Sequence, residues 1–431
     1  MVKAQNKAAK AQPAPPRRRQ GPIPLPLHLA IQTASLLASS AAFPMLRKGS
    51  LPWNPSLKPE AEKLRQEAQA ANPEALTQAV NREGLKRLHG FIDGVDSWLA
   101  HPYRRDVPEP PVLWQEGTTR LLDFGPAKGA KAAALLIPSL VNRSYILDLT
   151  QERSLARQLA AQGIRVFLVD WGAPGDQERG FDLTAYIAGR LGGALDAVRK
   201  ATGQKPALVG YCMGGLLALA LAQLRSQDVS GLALLATPWD FQAERAEQGL
   251  LLKSLQPHFE FIIKAMGELP LDVLQSLFAS LDPDLVPRKF RTFARLDPAT
   301  PKAQEFVALE DWVNDGVPLA GPVARECLFG WYGDNVTVKG EWRVAGQAIR
   351  PETLNLSCLV FVPEQDRIVP PGSALPLAHA IRNSKLVVVP AGHIGMVTGH
   401  SASHLLYNPL GKWILELSRS CAKRPRSAKS R

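Results

Sequence analysis

Cysteine is scarce in this chain and follows no pattern. Four cysteines occur in 431 residues, at positions 212, 327, 358 and 421, with no C-x-x-C pair. That excludes a disulfide framework and a cysteine-based metal site, and it fits a reducing, cytoplasmic setting. Acidic residues are missing from both ends. Residues 1–20 carry Lys3, Lys7, Lys10, Arg17, Arg18 and Arg19 and no acid, while residues 418–431 carry Arg419, Lys423, Arg424, Arg426, Lys429 and Arg431 and no acid. These cations account for the whole net charge of +12, so the body between them is formally neutral. Such tails read as disordered, serving either as solubilising ends or as contacts to an acidic surface. No fold-specific nucleic-acid motif accompanies them, so no nucleic-acid partner is expected.

Charge of either sign is absent from residues 20–46. A run of about 20 strongly apolar residues, as a membrane span needs, is also missing. Residues 25–42 are diluted by Gln32, Thr33, Ser35, Ser39 and Ser40. Pro22, Pro24 and Pro26 crowd the position where a signal peptide would have its apolar start. A helix that docks on the body or lies on a hydrophobic surface is the preferred reading; a membrane segment and a secretory signal are the alternatives. Residues 1–50 thus form a basic, apolar arm. Residues 51–110 read as a helical N-terminal region ending in a proline-rich linker at 101–111.

What the chain does have is a sharp strand-to-helix turn. The apolar run 207–210 meets Gly210-Tyr211-Cys212-Met213-Gly214-Gly215, and a helix-forming run follows. This is the pattern of a nucleophile elbow, with cysteine where hydrolases usually carry serine. Gly210, Gly214 and Gly215 suit a turn with no room for side chains. A helix N-terminus behind Cys212 offers free N–H groups and a positive dipole end, which favour an anion at the sulfur. The alternative is a small buried cysteine.

Around the elbow the chain alternates strands and helices. Strands are expected at 132–137, 165–169, 207–210, 232–236, 359–362 and 386–389, with helices at 154–161, 183–201, 216–224 and 405–417. That spacing predicts an α/β fold with a mostly parallel sheet covered on both faces. The domain spans 111–417, and residues 241–350, where the alternation stops, form a helical cap insertion. Residues 418–431 are the basic tail.

In this architecture a nucleophile is followed in the chain by an acid and then a histidine. Asp366 and His393 follow the last two strands, where sites in open α/β sheets assemble. Glu364 is the fallback acid. Asp366 either fixes the His393 tautomer or acts as a separate base on a second substrate group. The oxyanion hole is expected from the amide of Met213 and from that of Val141 or Asn142. A thiolate suits thioester exchange, because attack makes a new thioester of similar energy; acyl transfer is favoured over hydrolysis.

The chain resembles the polyhydroxyalkanoate synthases, in order along residues 110–417. The carrying motifs are the elbow, Leu140-Val141-Asn142-Arg143-Ser144-Tyr145-Ile146-Leu147-Asp148, Asp170-Trp171-Gly172, Thr237-Pro238-Trp239-Asp240-Phe241, Gln365-Asp366-Arg367-Ile368-Val369-Pro370 and Gly392-His393-Ile394-Gly395. Residues 335–349, with Gly340 and Gly346, are similar to the family's segment before the penultimate strand. The form is closest to the short class III type, which works with a smaller accessory subunit.

The resemblance implies an α/β-hydrolase fold that polymerises (R)-3-hydroxyacyl-CoA to polyester with release of coenzyme A. Cys212 would hold the chain as a thioester, His393 would take its proton, and Asp366 would activate the incoming 3-hydroxyl. No cofactor is expected beyond the coenzyme A of substrate and product. A cytoplasmic, granule-associated homodimer with peripheral membrane contact is the expected setting. The arm before residue 50 departs from the short-class pattern. It leaves the accessory subunit open, and granule attachment or dimer contacts are its expected roles, with soluble turnover expected to survive its removal. Two other readings stay open: a hydrolase (polyester depolymerase or acyl-CoA thioesterase), and a catalytically silent granule-associated protein.

Overall fold

The computed structural model describes residues 19–422 apart from residue 245. The basic segments 1–18 and 423–431 lie outside the described residues. Three helices open the chain: α1 Leu25–Lys48, α2 Lys58–Ala70 and α3 Pro73–Ala100. The sheet follows, with β1 Val112–Glu116, β2 Thr119–Asp123, β3 Ala132–Ile137, β4 Ile164–Asp170, β5 Ala207–Tyr211 and β6 Gly231–Leu235. Between these strands lie α4 Leu155–Ala161, α5 Gly192–Thr202 and the elbow helix α6 Met213–Leu224.

After β6 comes the cap. Its helices are α7 Ala246–Ser254, α8 Gln256–Met266, α9 Leu271–Ala279, α10 Leu285–Phe293, α11 Pro301–Val313 and α12 Gly321–Arg325. Two small hairpins pair β7 Glu268–Leu269 with β8 Leu319–Ala320, and β9 Arg343–Val344 with β10 Gln347–Ala348. The chain closes with β11 Cys358–Pro363, α13 Pro371–Ala380, β12 Ser384–Val389, α14 Gly395–Thr398 and α15 Asn408–Ala422.

The main sheet has eight strands in the order β1-β2-β4-β3-β5-β6-β11-β12. From β4 to β12 every pairing is parallel, while β1 and β2 form an antiparallel edge. This edge hairpin escapes the sequence reading. Its tight Glu116-Gly117-Thr118 turn puts two five-residue strands close to the linker, and the strands are short and partly exposed. β3, β5, β6 and β11 are buried at every residue, because helices cover both faces of the sheet. The expected helix 183–201 begins as a π-helix at Ala185–Leu191 before α5, and the closing helix begins the same way at Ser403–Tyr407.

An apolar cluster of its own, apart from the sheet's core, ties the N-terminal region to the cap. Phe91, Val95 and Trp98 of α3 pack on Phe290 and Phe293 of α10 and on Val307 of α11. Phe290 meets Trp98 edge-on at 5.8 Å. The proline-rich segment 101–111 has no regular structure, yet it is anchored. His101 is buried, and its Nε2 lies 3.0 Å from the Pro298 carbonyl.

Several motif residues turn out to brace the fold. Asp148 receives Arg157 at 2.7 Å, Arg105 at 3.1 Å and the Ser154 hydroxyl at 2.6 Å. Asp170 pairs with Arg120 at 2.7 Å, and the Trp171 indole donates to the Pro138 carbonyl at 3.1 Å. Asn335 links the cap to the 237–241 motif: its Nδ2 donates to Asp240 at 2.9 Å and its Oδ1 accepts the Phe241 N–H at 3.1 Å.

Candidate active site

β5 delivers Cys212 to the carboxyl end of the sheet. The cysteine sits at φ 56°, ψ −128°, outside the range a non-glycine residue ordinarily adopts, and immediately ahead of α6. Its N–H donates to the Leu235 carbonyl at 2.8 Å, which ties the turn to β6. The three glycines are there for close approach. A Cβ on Gly214 would fall 2.1 Å from the Ile137 carbonyl oxygen, and one on Gly210 would fall 2.4 Å from the Gly215 Cα. A Cβ on Gly215 would fall 1.9 Å from Thr237 Oγ1. The elbow helix therefore packs backbone to backbone on the neighbouring strands.

Asp366 and His393 come from the loops after β11 and β12. His393 Nδ1 lies 2.7 Å from Asp366 Oδ2. Asp366 Oδ1 accepts the N–H groups of Ile368 and Val369, both at 2.8 Å. Both carboxylate oxygens are thus engaged, and the side chain is buried. Glu364 is exposed, as are the nearby His400 and His404. Tyr211 stacks obliquely on the His393 ring at 5.2 Å, and its hydroxyl donates to the His393 carbonyl at 3.2 Å. The sequence reading passed over this tyrosine because its neighbour carried the motif.

The electrostatics tie His393 to both partners. Burial alone would lower its pKa. The charge of Cys212 and hydrogen bonds to Asp366 and Cys212 outweigh that, and the imidazole is pushed up to about 10. Cys212 and His393 share one cavity of about 210 Å³ that also touches Val141 and Asn142. Its exposed lining is mostly apolar, contributed by cap and body together.

Of the expected oxyanion donors, Met213 is the first residue of α6, where a helix leaves its N–H groups without intrahelical acceptors. The Val141 N–H donates to Ser139 Oγ at 3.2 Å, so a bound oxyanion would compete with that hydroxyl. The N-terminal arm docks on the body, one of the two placements preferred from the sequence: Pro22, Ile23 and His28 form part of the cavity wall. That placement invites loss of turnover, not its survival, when the arm is removed. Among the described residues, no group of three or more His, Cys, Asp or Glu side chains is arranged to hold a metal ion.

The family comparison agrees with the topology. The family profile for the alpha/beta hydrolase fold matches residues 135–399. The chain is similar to the poly(3-hydroxyalkanoate) polymerase subunit PhaC of Synechocystis sp., at 29% identity over 71% of this chain and 84% of that one. It is equally similar to the subunit of the same name from Allochromatium vinosum, at 29% identity over 80% of this chain and 98% of the relative. Among solved structures, a monoacylglycerol lipase from Paleococcus ferrophilus aligns at 17% identity and a TM-score of 0.45, covering 69% of this chain and 99% of its own. The chain belongs to the alpha/beta hydrolase fold family and, within it, groups with the polyhydroxyalkanoate synthases.

Proposed function

We propose that this protein is a polyhydroxyalkanoate synthase that polymerises (R)-3-hydroxyacyl-CoA through a thioester on Cys212. The observation that carries the reading is a cysteine held on a strained elbow, beside a His393–Asp366 pair with a 2.7 Å contact, in a mostly apolar cavity. The relatives' names point the same way.

In the first half-reaction the Cys212 thiolate attacks the thioester carbonyl. The oxyanion is met by the Met213 amide and an amide of the 141–142 loop. The C–S bond to coenzyme A breaks, and the departing thiolate takes a proton from the His393 imidazolium. In the second half-reaction the hydroxyl of another hydroxyacyl-CoA gives its proton to His393. Its oxygen attacks the acyl carbon and the Cys212 thiolate leaves. The product is a CoA thioester longer by one ester unit, which can reload Cys212.

With both its oxygens occupied, Asp366 serves this cycle by orienting and charging His393, the first of its two candidate roles. A hydroxyacyl-CoA substrate, a polyester granule surface and a homodimer complete the reading; the accessory subunit stays an open alternative.

The test is to give purified protein 3-hydroxybutyryl-CoA, follow free thiol, and collect insoluble polymer. Thiol release with polymer is expected, and Cys212→Ala is expected to abolish both. Release accompanied only by free acid would leave a thioesterase. No release, with or without an accessory subunit, would leave a silent granule protein.

A further inference from the structure

The loop expected to supply the second oxyanion amide has no regular structure. Residues 139–143 run between β3 and the short helical turn Ser144–Asp148. Such a loop keeps one conformation where partners hold its backbone polar groups. Here those partners come from the cap. The Trp312 indole, near the end of α11, donates to the Arg143 carbonyl at 2.8 Å. The Val317 N–H donates to the Val141 carbonyl at 3.3 Å. Between them, Asp315 accepts the Tyr145 hydroxyl at 3.2 Å and faces the Arg143 guanidinium at 3.8 Å. Residues 312–317 thus hold residues 141–145 at both ends.

The holding segment is itself fixed. The Asn314 side chain donates to the Glu310 carbonyl at 2.7 Å, and its Oδ1 accepts the Ile23 N–H of the arm at 2.8 Å. Asp311 pairs with Arg19 at 2.6 Å, and that guanidinium also donates to the carbonyls of Trp98, His101 and Tyr103 at 3.0, 2.6 and 2.7 Å. The arm therefore backs the same stretch of the cap on which the oxyanion loop leans.

A trans peptide is planar, so fixing the Val141 carbonyl also fixes the direction of the Asn142 N–H. Loss of one oxyanion donor costs about 100- to 1,000-fold in rate, and a displacement of about 1 Å costs about 100-fold. Trp312 is buried and lines the cavity together with Val141 and Asn142. Any large apolar ring would fill that wall; the indole N–H aimed at Arg143 is the part a phenyl ring lacks.

We propose that Trp312 is a positioning residue for the oxyanion hole: with Asp315 and the Val317 amide it sets the 141–142 amides where they meet the developing oxyanion, so that the hole is complete only with the cap docked. This role presupposes the acyl-carrier reading of Cys212, and it ties the motif 140–148 to the cap.

The experiment compares two coenzyme A thioethers by calorimetry, one ending in a trifluoromethyl ketone and the other in the corresponding carbinol. The Cys212 thiolate adds to the ketone carbon and the carbonyl electron pair moves to oxygen, so an oxyanion occupies the hole and no group leaves. The carbinol carbon takes no nucleophile. The wild type is expected to prefer the ketone at least about 100-fold. Trp312→Phe is expected to lower that preference at least about fivefold, with the rate of Cys212 acylation by 3-hydroxybutyryl-CoA falling alongside.

A smaller change in the preference, even with both ligands weakened together, would mean that the ring merely packs the wall, and would overturn the role. Should Trp312→Phe fail to fold, Tyr145→Phe decides, because it removes one hydroxyl from the Asp315 contact and keeps the ring. Its preference is expected to fall at least about threefold, and an unchanged preference overturns the role. Equal binding of ketone and carbinol by the wild type would remove the acyl-carrier reading instead. The hold on the loop is then read from amide exchange at residues 141–142, which Trp312→Phe is expected to speed at least about tenfold; unchanged exchange overturns it.

Discussion

At the scale of single residues the elbow leaves little freedom. Alanine at position 214 would put its Cβ 2.1 Å from the Ile137 carbonyl oxygen and 2.6 Å from that of Pro138. Both are backbone atoms on the core strand and its end, so neither can turn aside. Gly214→Ala is expected to cost about 2–4 kcal/mol in denaturant unfolding, and to abolish Cys212 alkylation at the wild-type rate. His393 carries a different prediction. Its pKa rises from the ordinary 6.5 to about 10 against the pull of burial, with the Cys212 charge the largest raising influence. The folded protein therefore keeps a proton that the unfolded chain has lost. This contribution to stability is complete below about pH 6.5, and it is lost as pH climbs through about 10. Cys212→Ala removes that raising influence. By NMR its His393 is expected to titrate well below the wild type, and its stability to fall less between pH 7 and 10. An unchanged His393 titration in the variant would show that Asp366 alone sets the charge.

At the scale of elements, what local pattern specifies could be read from the sequence, and what distant partners specify could not. The glycines around Cys212 and the strand ends before Asp366 and His393 announce themselves within a few residues. The cavity wall does not: His28, Lys289 and Glu310 meet across more than 200 positions of chain, and no periodicity marks their contact. Helix α1 shows the limit. Its apolar composition suggested docking by an apolar face, yet its buried residues are the polar His28 and Gln32. Leu25 and Leu29 pack, partly buried, against the cluster shared by α3 and α10, and the docking is reinforced from just before the helix by Arg19, whose side chain is 7% exposed. Arg19→Ala would leave Asp311 only the Trp98 indole as a hydrogen-bond donor and take one donor from each of the Trp98, His101 and Tyr103 carbonyls. A loss of about 2–4 kcal/mol in the docking of the arm is expected. Limited proteolysis should then cut ahead of α2 while the body persists. If the arm stays protected, α1 is held by its packing on α3 and not by the arginine.

At the scale of the whole molecule, the outward surface of α1 becomes the open quantity. By length and composition α1 is apolar enough to cross a membrane, yet its apolar window is only 6% buried against the body. Leu37 is 66% exposed and Met45 44%. With the body formally neutral and the excess cations in the terminal segments, the proposed function leaves two forces that would hold the protein on a polyester surface: apolar contact through α1, and attraction of the tails to surface anions. They respond to salt in opposite ways. Attraction through the tails is screened beyond about 3 Å at 1 M ionic strength, whereas apolar contact survives. Burying two large apolar side chains contributes about 3–6 kcal/mol at most. Leu37→Glu with Met45→Glu is therefore expected to lower partitioning onto polyester particles at least about tenfold in 1 M salt, with soluble thiol release unchanged. Release of the wild type by salt alone would assign attachment to the tails. It would also leave α1 as a strut whose task is to hold His28 in the wall of the cavity.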